Sequence, residues 1–216
     1  MKEQEAFERI ASSRLIAGMR GQFGPDLALA VCEVLIQEGI TNFEFTLNSE
    51  KPVEAMTRVK QEFSASACVG MGTVLSVSAA QEVLDAGADF VVSPAFQAHV
   101  VQHVMARNVL VAPGVITPSE CLAATELGVR MLKIFPIGSL GIGYFKALRG
   151  PLDEIAFLCN GGINAENTRE FLAAGAVACG LAGWLTGSGD MPLATIRERA
   201  RQLRNIVAEL QAKRSN

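Results

Sequence analysis

Three strand entries in this chain are spelled almost identically, and that repetition restricts the fold more than any other feature. Ala86-Gly87-Ala88-Asp89, Leu127-Gly128-Val129-Arg130 and Ala174-Gly175-Ala176-Val177 each set a glycine between a helical pattern and an apolar run. A glycine there ends a helix in the left-handed conformation, and the chain turns directly into a strand. Gly39 is placed to stop a helix in the same way. Apolar periodicity predicts strands at 15–20, 42–47, 67–74, 89–93, 109–112, 130–135, 155–159 and 177–181. Helices are predicted at 26–38, 51–63, 78–86, 97–106, 118–127, near 142–149, at 165–174 and from about 191 to 212, with a short amphipathic helix at 2–13 ahead of them.

Eight strands alternating with eight helices in 216 residues close a parallel (β/α)8 TIM barrel. The chain is then a single domain over 1–216, with its active site at the C-terminal ends of the strands. The rival is a doubly wound open sheet, which carries a glycine fingerprint after its first strand. Gly18-Met19-Arg20-Gly21 does not extend to that fingerprint, and Arg20 would crowd it.

Composition narrows the function. Half of the residues are hydrophobic, 19% are charged, and the net charge is −3 with no basic run. A large core is expected, and neither nucleic acid nor a membrane surface is an expected partner. The charged start Met1-Lys2-Glu3-Gln4-Glu5-Ala6 is not a signal peptide. Five scattered cysteines without a C-x-x-C suggest reduced thiols in a cytoplasm. His99 and His103, four apart, have no evident third ligand, so no metal and no other cofactor is expected.

The strand ends carry the chemistry. In Met131-Leu132-Lys133-Ile134-Phe135 the lysine is the only charge. Alternation puts Met131, Lys133 and Phe135 on one face. Burial favours the neutral amine of a lysine, which is the nucleophile a Schiff base needs. A snorkelling or ion-paired core lysine is the plainer alternative. In Asn42-Phe43-Glu44-Phe45-Thr46-Leu47-Asn48 the alternation turns Glu44, Thr46 and Asn48 inward. A carboxylate there is either a salt-bridge partner of Lys133 or Arg20, or a general acid/base. Gly70-Met71-Gly72-Thr73 ends the third strand, and its glycines suggest close approach of backbone to a ligand, or a strand packed under a helix. Arg20 ends the first strand, where it suits a carboxylate or a rim salt bridge. Asn160-Gly161-Gly162-Ile163-Asn164 opens a helix after the seventh strand, and Gly180-Leu181-Ala182-Gly183-Trp184 ends the eighth. Backbone N–H groups of Gly161, Gly162, Ala182 and Gly183 are the expected phosphate site.

Together these residues resemble the family of 2-keto-3-deoxy-6-phosphogluconate (KDPG) aldolases and their 6-phosphogalactonate (KDPGal) relatives. The likeness runs from about Arg14 to Leu210. It rests on Glu44-Phe45-Thr46-Leu47, Gly70-Met71-Gly72-Thr73-Val74-Leu75, Val92-Ser93-Pro94, Ala112-Pro113-Gly114, Lys133-Ile134-Phe135-Pro136 and Gly161-Gly162-Ile163. The resemblance implies a metal-free class I aldolase that assembles as a homotrimer of barrels. It implies that Lys133 forms the Schiff base, that Glu44 shuttles protons and that Thr73 holds the substrate carboxylate. Asn48, Pro94, Pro113 and Phe135 would line the site. Leu47-Asn48-Ser49 is similar to the galactonate branch, in which the carboxylate-binding arginine ends the first strand, here Arg20. The gluconate branch often has a serine where this chain has Gly183. The expected substrate is a phosphorylated 2-keto-3-deoxy sugar acid that yields pyruvate and glyceraldehyde 3-phosphate. The alternatives are a class I aldolase acting on 4-hydroxy-2-oxoglutarate and a non-catalytic phosphosugar-binding barrel.

Overall fold

The computed structural model describes residues 1–213, so the last three residues of the expected domain lie outside the described residues. The strands are β1 (Leu15–Met19), β2 (Asn42–Thr46), β3 (Cys68–Gly72), β4 (Phe90–Val92), β5 (Leu110–Ala112), β6 (Gly114–Val115), β7 (Met131–Ile134), β8 (Ala156–Asn160) and β9 (Ala178–Leu181). The helices are α1 (Glu3–Ser13), α2 (Pro25–Gln37), α3 (Pro52–Phe63), α4 (Val77–Asp85), α5 (Ala98–Met105), α6 (Pro118–Glu126), α7 (Ile137–Arg149), α8 (Ala165–Ala173) and α9 (Leu193–Ala212). Every strand pairing is parallel, in the order β5-β4-β3-β2-β1-β9-β8-β7-β6.

β5 and β6 are two halves of one barrel strand, split at Pro113. Proline has no N–H to give to a ladder, so the pairing changes partner there. β5 pairs with β4, β6 pairs with β7, and the Lys133 N–H donates to the Pro113 carbonyl at 2.9 Å. The ring closes through that residue, and the expected TIM barrel is the observed fold. The helix-ending glycines take the expected left-handed backbone, with φ of 84° at Gly39, 90° at Gly87, 87° at Gly128 and 101° at Gly175.

One element differs from its expectation. The helix expected near 142–149 begins at Ile137, and Gly141 (φ 79°, ψ 173°) breaks it into two pieces. Glycine is a poor helix former, so Gly138, Gly141 and Gly143 hide the helical period in the sequence.

The core has two parts. One lies inside the barrel and is built from inward-facing residues such as Ile16, Cys68, Phe90, Leu110, Met131 and Leu158. Ala6 and Ile10 of α1 join it, so this helix packs against the barrel interior and contacts β2, β5 and β9. The other part lies between strands and helices and takes Phe43, Phe45, Leu132 and Ile134. Alternation therefore runs as the sequence indicates, with Met131 inward and Leu132 and Ile134 outward. The five cysteines are unpaired and buried. No described helix is long and apolar enough to cross a membrane.

Candidate active site

The C-terminal ends of the strands surround a cavity of about 730 Å³. Lys133 of β7 and Glu44 of β2 reach into it, only 5% and 4% exposed. Lys133 Nζ lies 3.9 Å from Glu44 Oε1 and 4.7 Å from the centroid of the Phe135 ring. That separation is an ion-pair contact and exceeds a hydrogen bond. Among the described residues no acceptor is within hydrogen-bond reach of Nζ. The amine is thus buried, faces the cavity and is held beside a carboxylate without being locked to it.

Glycines make the room. A methyl group at position 72 would sit 2.0 Å from Glu44 Oε1, so Gly72 vacates the space the carboxylate fills. A methyl group at position 70 would collide with the Phe90 carbonyl at 2.4 Å. Gly70 and Gly72 are not among the lining residues, and the room they leave is taken by Phe90 and Glu44. Thr73 leaves the strand at φ 61° and lines the cavity. A β-branched residue rarely adopts that backbone, and such outliers concentrate at binding sites.

Arg20 lies just past β1, exposed, on the cavity wall. No ion-pair or hydrogen-bond partner for it is found among the described residues, which removes the rim salt bridge as its explanation. Its loop is fixed by the Gly21 N–H donating to Ser49 Oγ at 3.0 Å, and Ser49 Oγ lies 2.8 Å from Thr46 Oγ1. Asn48 lines the wall nearby.

Farther round the rim, past β9, the Gly161–Gly162 turn after β8 runs at φ 85° and 74°. A methyl group at 161 would meet the Phe135 ring at 2.7 Å. Asn164 caps α8 through a reciprocal pair of hydrogen bonds with Asn167. Gly183 has open space where a side chain would be. The loop after β9 is tied to β1 by the Thr186 hydroxyl, which donates to the Gly18 carbonyl at 2.6 Å. At Gly161, Gly162, Ala182 and Gly183 the cavity is lined by backbone and small side chains, and the cations among its described lining residues are Arg20 and Lys133.

All the expected site residues line this cavity except Pro113. Pro113 is buried in the split strand, where its carbonyl receives the Lys133 N–H, so it supports the nucleophile's strand from within the wall. Gly187 and Ser188 line the cavity without having been named from the sequence, and Trp184 and Asn160 were named only as ends of the glycine motifs, with no role of their own. Trp184 carries the Arg199 guanidinium over its ring at 5.1 Å. Asn160, the last residue of β8, donates from Nδ2 to Glu44 Oε2 at 3.4 Å. Leu158 faces inward, so alternation alone would have turned Asn160 inward too.

Other candidate groups lie elsewhere. Burial pushes the Cys159 thiol up and the Cys179 thiol up to about 12, and both pack toward the helices. His99 is exposed, and His103 pairs with Gln81 at 3.0 Å. No group of three or more metal-ligating side chains is found among the described residues.

A family model described as "Aldolase: KDPG and KHG aldolase" matches residues 9–197. The chain is 36% identical over 178 residues to the 2-dehydro-3-deoxy-phosphogluconate aldolase of Treponema pallidum, covering 82% of each protein. It is 32% identical over 187 residues to the 2-dehydro-3-deoxy-6-phosphogalactonate aldolase of Escherichia coli K12, covering 86% of this chain and 91% of that one. Among solved structures, a native KDPGal structure superposes with a TM-score of 0.86 at 29% identity, covering 92% of this chain and 96% of that one. A 4-hydroxy-2-oxoglutarate/2-dehydro-3-deoxyphosphogluconate aldolase superposes with a TM-score of 0.83 at 33% identity, covering 94% and 98%.

Proposed function

The chain belongs to the KDPG and KHG aldolase family, and from that premise we propose that it cleaves a 2-keto-3-deoxy-6-phospho sugar acid to pyruvate and glyceraldehyde 3-phosphate. One observation carries the proposal: a buried lysine amine, free of hydrogen bonds, 3.9 Å from a buried carboxylate at the mouth of the barrel. A non-catalytic sugar-binding barrel has no use for that pair.

The Lys133 amine adds to the C2 carbonyl of the substrate, and loss of water from the carbinolamine gives an iminium. Glu44 carries the protons of these steps and then takes the proton of the C4 hydroxyl. The C3–C4 bond breaks, its electron pair moves toward the iminium nitrogen, and the aldehyde leaves. The enamine is reprotonated at C3 through Glu44, and hydrolysis frees pyruvate and the amine. Arg20 and Thr73 take the carboxylate end. The turn at Gly161–Gly162 and the segment Ala182–Gly183 take the phosphate through backbone N–H groups. Fixing both ends holds the reacting carbons over the lysine. We extend the proposal to one domain acting in a homotrimer in the cytoplasm. Five unpaired cysteines support a reducing compartment.

A second reading keeps the chemistry and shortens the substrate to 4-hydroxy-2-oxoglutarate. It is favoured by the lining of the cavity, whose cations among the described residues are Arg20 and Lys133, the two groups already assigned to the keto-acid half of the substrate. Pyruvate release from both C4 epimers of the phosphorylated acid, from the unphosphorylated acid and from 4-hydroxy-2-oxoglutarate separates the two. The proposal expects kcat/KM to fall by roughly tenfold or more without the phosphate, the scale of one charge-assisted hydrogen bond, and to be unchanged by EDTA. Equal kcat/KM with and without phosphate, together with faster cleavage of 4-hydroxy-2-oxoglutarate, would establish the shorter substrate. No cleavage of any of them would overturn both readings.

A further inference from the structure

We infer that Asn160 is a positioning residue for Glu44: its side-chain amide holds one carboxylate oxygen so that the other faces Lys133. The inference rests on the aldolase reading and assigns a task to a residue that this reading does not use.

The two oxygens of Glu44 have separate neighbours. Oε1 lies 3.9 Å from Lys133 Nζ, and Oε2 lies 3.4 Å from Asn160 Nδ2. Among the described residues, Asn160 is the one hydrogen-bond donor to this carboxylate. The placement is built into the backbone on both sides. Asn160 pairs in register with Gly180, and a methyl group at 180 would meet Asn160 Nδ2 at 2.4 Å. Gly72 clears the far side, where a methyl group would meet Glu44 Oε1 at 2.0 Å. Two missing side chains therefore leave room for the linked Asn160–Glu44 pair across the mouth of the barrel.

The chemistry suits the geometry. A neutral amide orients a carboxylate without neutralising it. An arginine or a second lysine in its place would form a lasting ion pair and take the carboxylate out of proton transfer. A weakly held, oriented carboxylate can accept a proton from one reacting atom and return it to another. An aspartate at 160 would set two negative charges side by side and remove the donor.

Three variants test this: Asn160→Leu, Asn160→Asp and Gly180→Ala. Gly180→Ala keeps Asn160 and displaces its amide, so the test survives if a substitution at 160 fails to fold. Each is compared with the parent by borohydride trapping with pyruvate and by steady-state kinetics. We expect the parent and all three variants to form the pyruvate adduct. Asn160→Leu and Gly180→Ala should lower kcat by roughly 2- to 10-fold, the scale of one neutral hydrogen bond, with KM nearly unchanged. Asn160→Asp should lower kcat further than Asn160→Leu. Unchanged kcat in Asn160→Leu and Gly180→Ala would overturn the inference. So would a raised KM at full kcat, which would make Asn160 a substrate contact, or an Asn160→Asp enzyme as active as the parent. A parent that forms no adduct would overturn the aldolase reading and this inference together, whereas normal adducts with unchanged kcat would overturn this inference alone.

Discussion

Two of the buried carboxylates, Asp89 and Glu44, have opposite surroundings. Asp89, just ahead of β4, is fully engaged: it accepts the Val69 N–H at 3.0 Å and is ion-paired to Lys60 in a close contact. Lys60 also donates to the Gly87 carbonyl at 2.5 Å, so the whole group is bound into the start of the strand. Glu44, at the other end of the barrel, has one hydrogen bond at 3.4 Å and a lysine at 3.9 Å. Both are nearly inaccessible to solvent, at 2% and 4% exposure, so burial does not separate them. Satisfaction does. A buried charge whose partners are all in place stabilises the fold, and one whose partners stop short of it is available to a substrate.

The sharpest way to break this comparison is to neutralise each carboxylate by its near-isosteric amide. Glu44→Gln should lower kcat by about 10²–10⁴-fold, as for other general acid/base groups, with its melting temperature close to that of the parent. Asp89→Asn should do the reverse, losing on the order of 3 kcal/mol of stability by leaving the Lys60 ammonium with the neutral Gly87 carbonyl and no counter-charge, while kcat below the melting transition stays near the parent value. Thermal melts and kinetics on both variants decide the matter. A Glu44→Gln protein with full activity and a collapsed melting temperature would make Glu44 a second Asp89.

Gly72→Ala attacks the same carboxylate from the backbone. The added methyl group would stand 2.0 Å from Oε1, so Glu44 must swing away from Lys133. A displacement of about 1 Å can cost on the order of 100-fold in rate, and we expect kcat to fall toward that extent. A parent-like kcat would show that the carboxylate position is not critical.

Arg20 gives the next smaller effect. It is exposed, so its loss is not the removal of a buried charge partner. A hydrogen bond to a charged group contributes about 1.5–3 kcal/mol, so Arg20→Ala should raise KM by roughly 10- to 100-fold. Arg20→Lys should rescue part of this, because the ammonium lacks the planar fork. Asn48→Ala should cost less than Arg20→Ala. The reverse order would move the carboxylate contact from the first strand to the second.

The smallest effect lies outside the site, at Glu38 after α2. A hydrogen bond from Arg201, then one from Arg197, together with their charges, hold this carboxyl below the usual range against the cost of its burial. A depressed carboxyl pKa stabilises the fold above the unfolded-state value and loses that contribution as pH falls through the folded value. The melting temperatures of the parent and Glu38→Gln should therefore differ at neutral pH and converge in acid. A gap that persists at low pH would contradict this.

The contrast between the two carboxylates also shows how far the sequence can be read. Lys133 and Glu44 are legible because strand alternation is strict. An isolated charge two residues from an apolar inward position must share its face, and the structure places both side chains where that rule puts them. The left-handed glycines that end the helices are legible for the same local reason. Asp89 was only a word in a repeat, because its partner Lys60 lies 29 residues back on α3 and nothing local announces the pair. Asn160 was overshadowed by the glycine pair beside it. Pro113 was expected on the cavity wall, but the split of the strand draws it into the wall itself. The sequence offers two reasons for Gly70 and Gly72, approach to a ligand or packing under a helix, and does not show that the room they leave is taken by Phe90 and Glu44, which only the closed barrel brings next to them.

The central claim is that Lys133 is the covalent nucleophile. Its most direct test is to incubate the enzyme with pyruvate, reduce with borohydride, digest, and map the modified peptide by mass spectrometry. One pyruvate-derived increment is expected, carried by Lys133 and lost in Lys133→Arg. No increment, or one that maps to a different lysine, would contradict it.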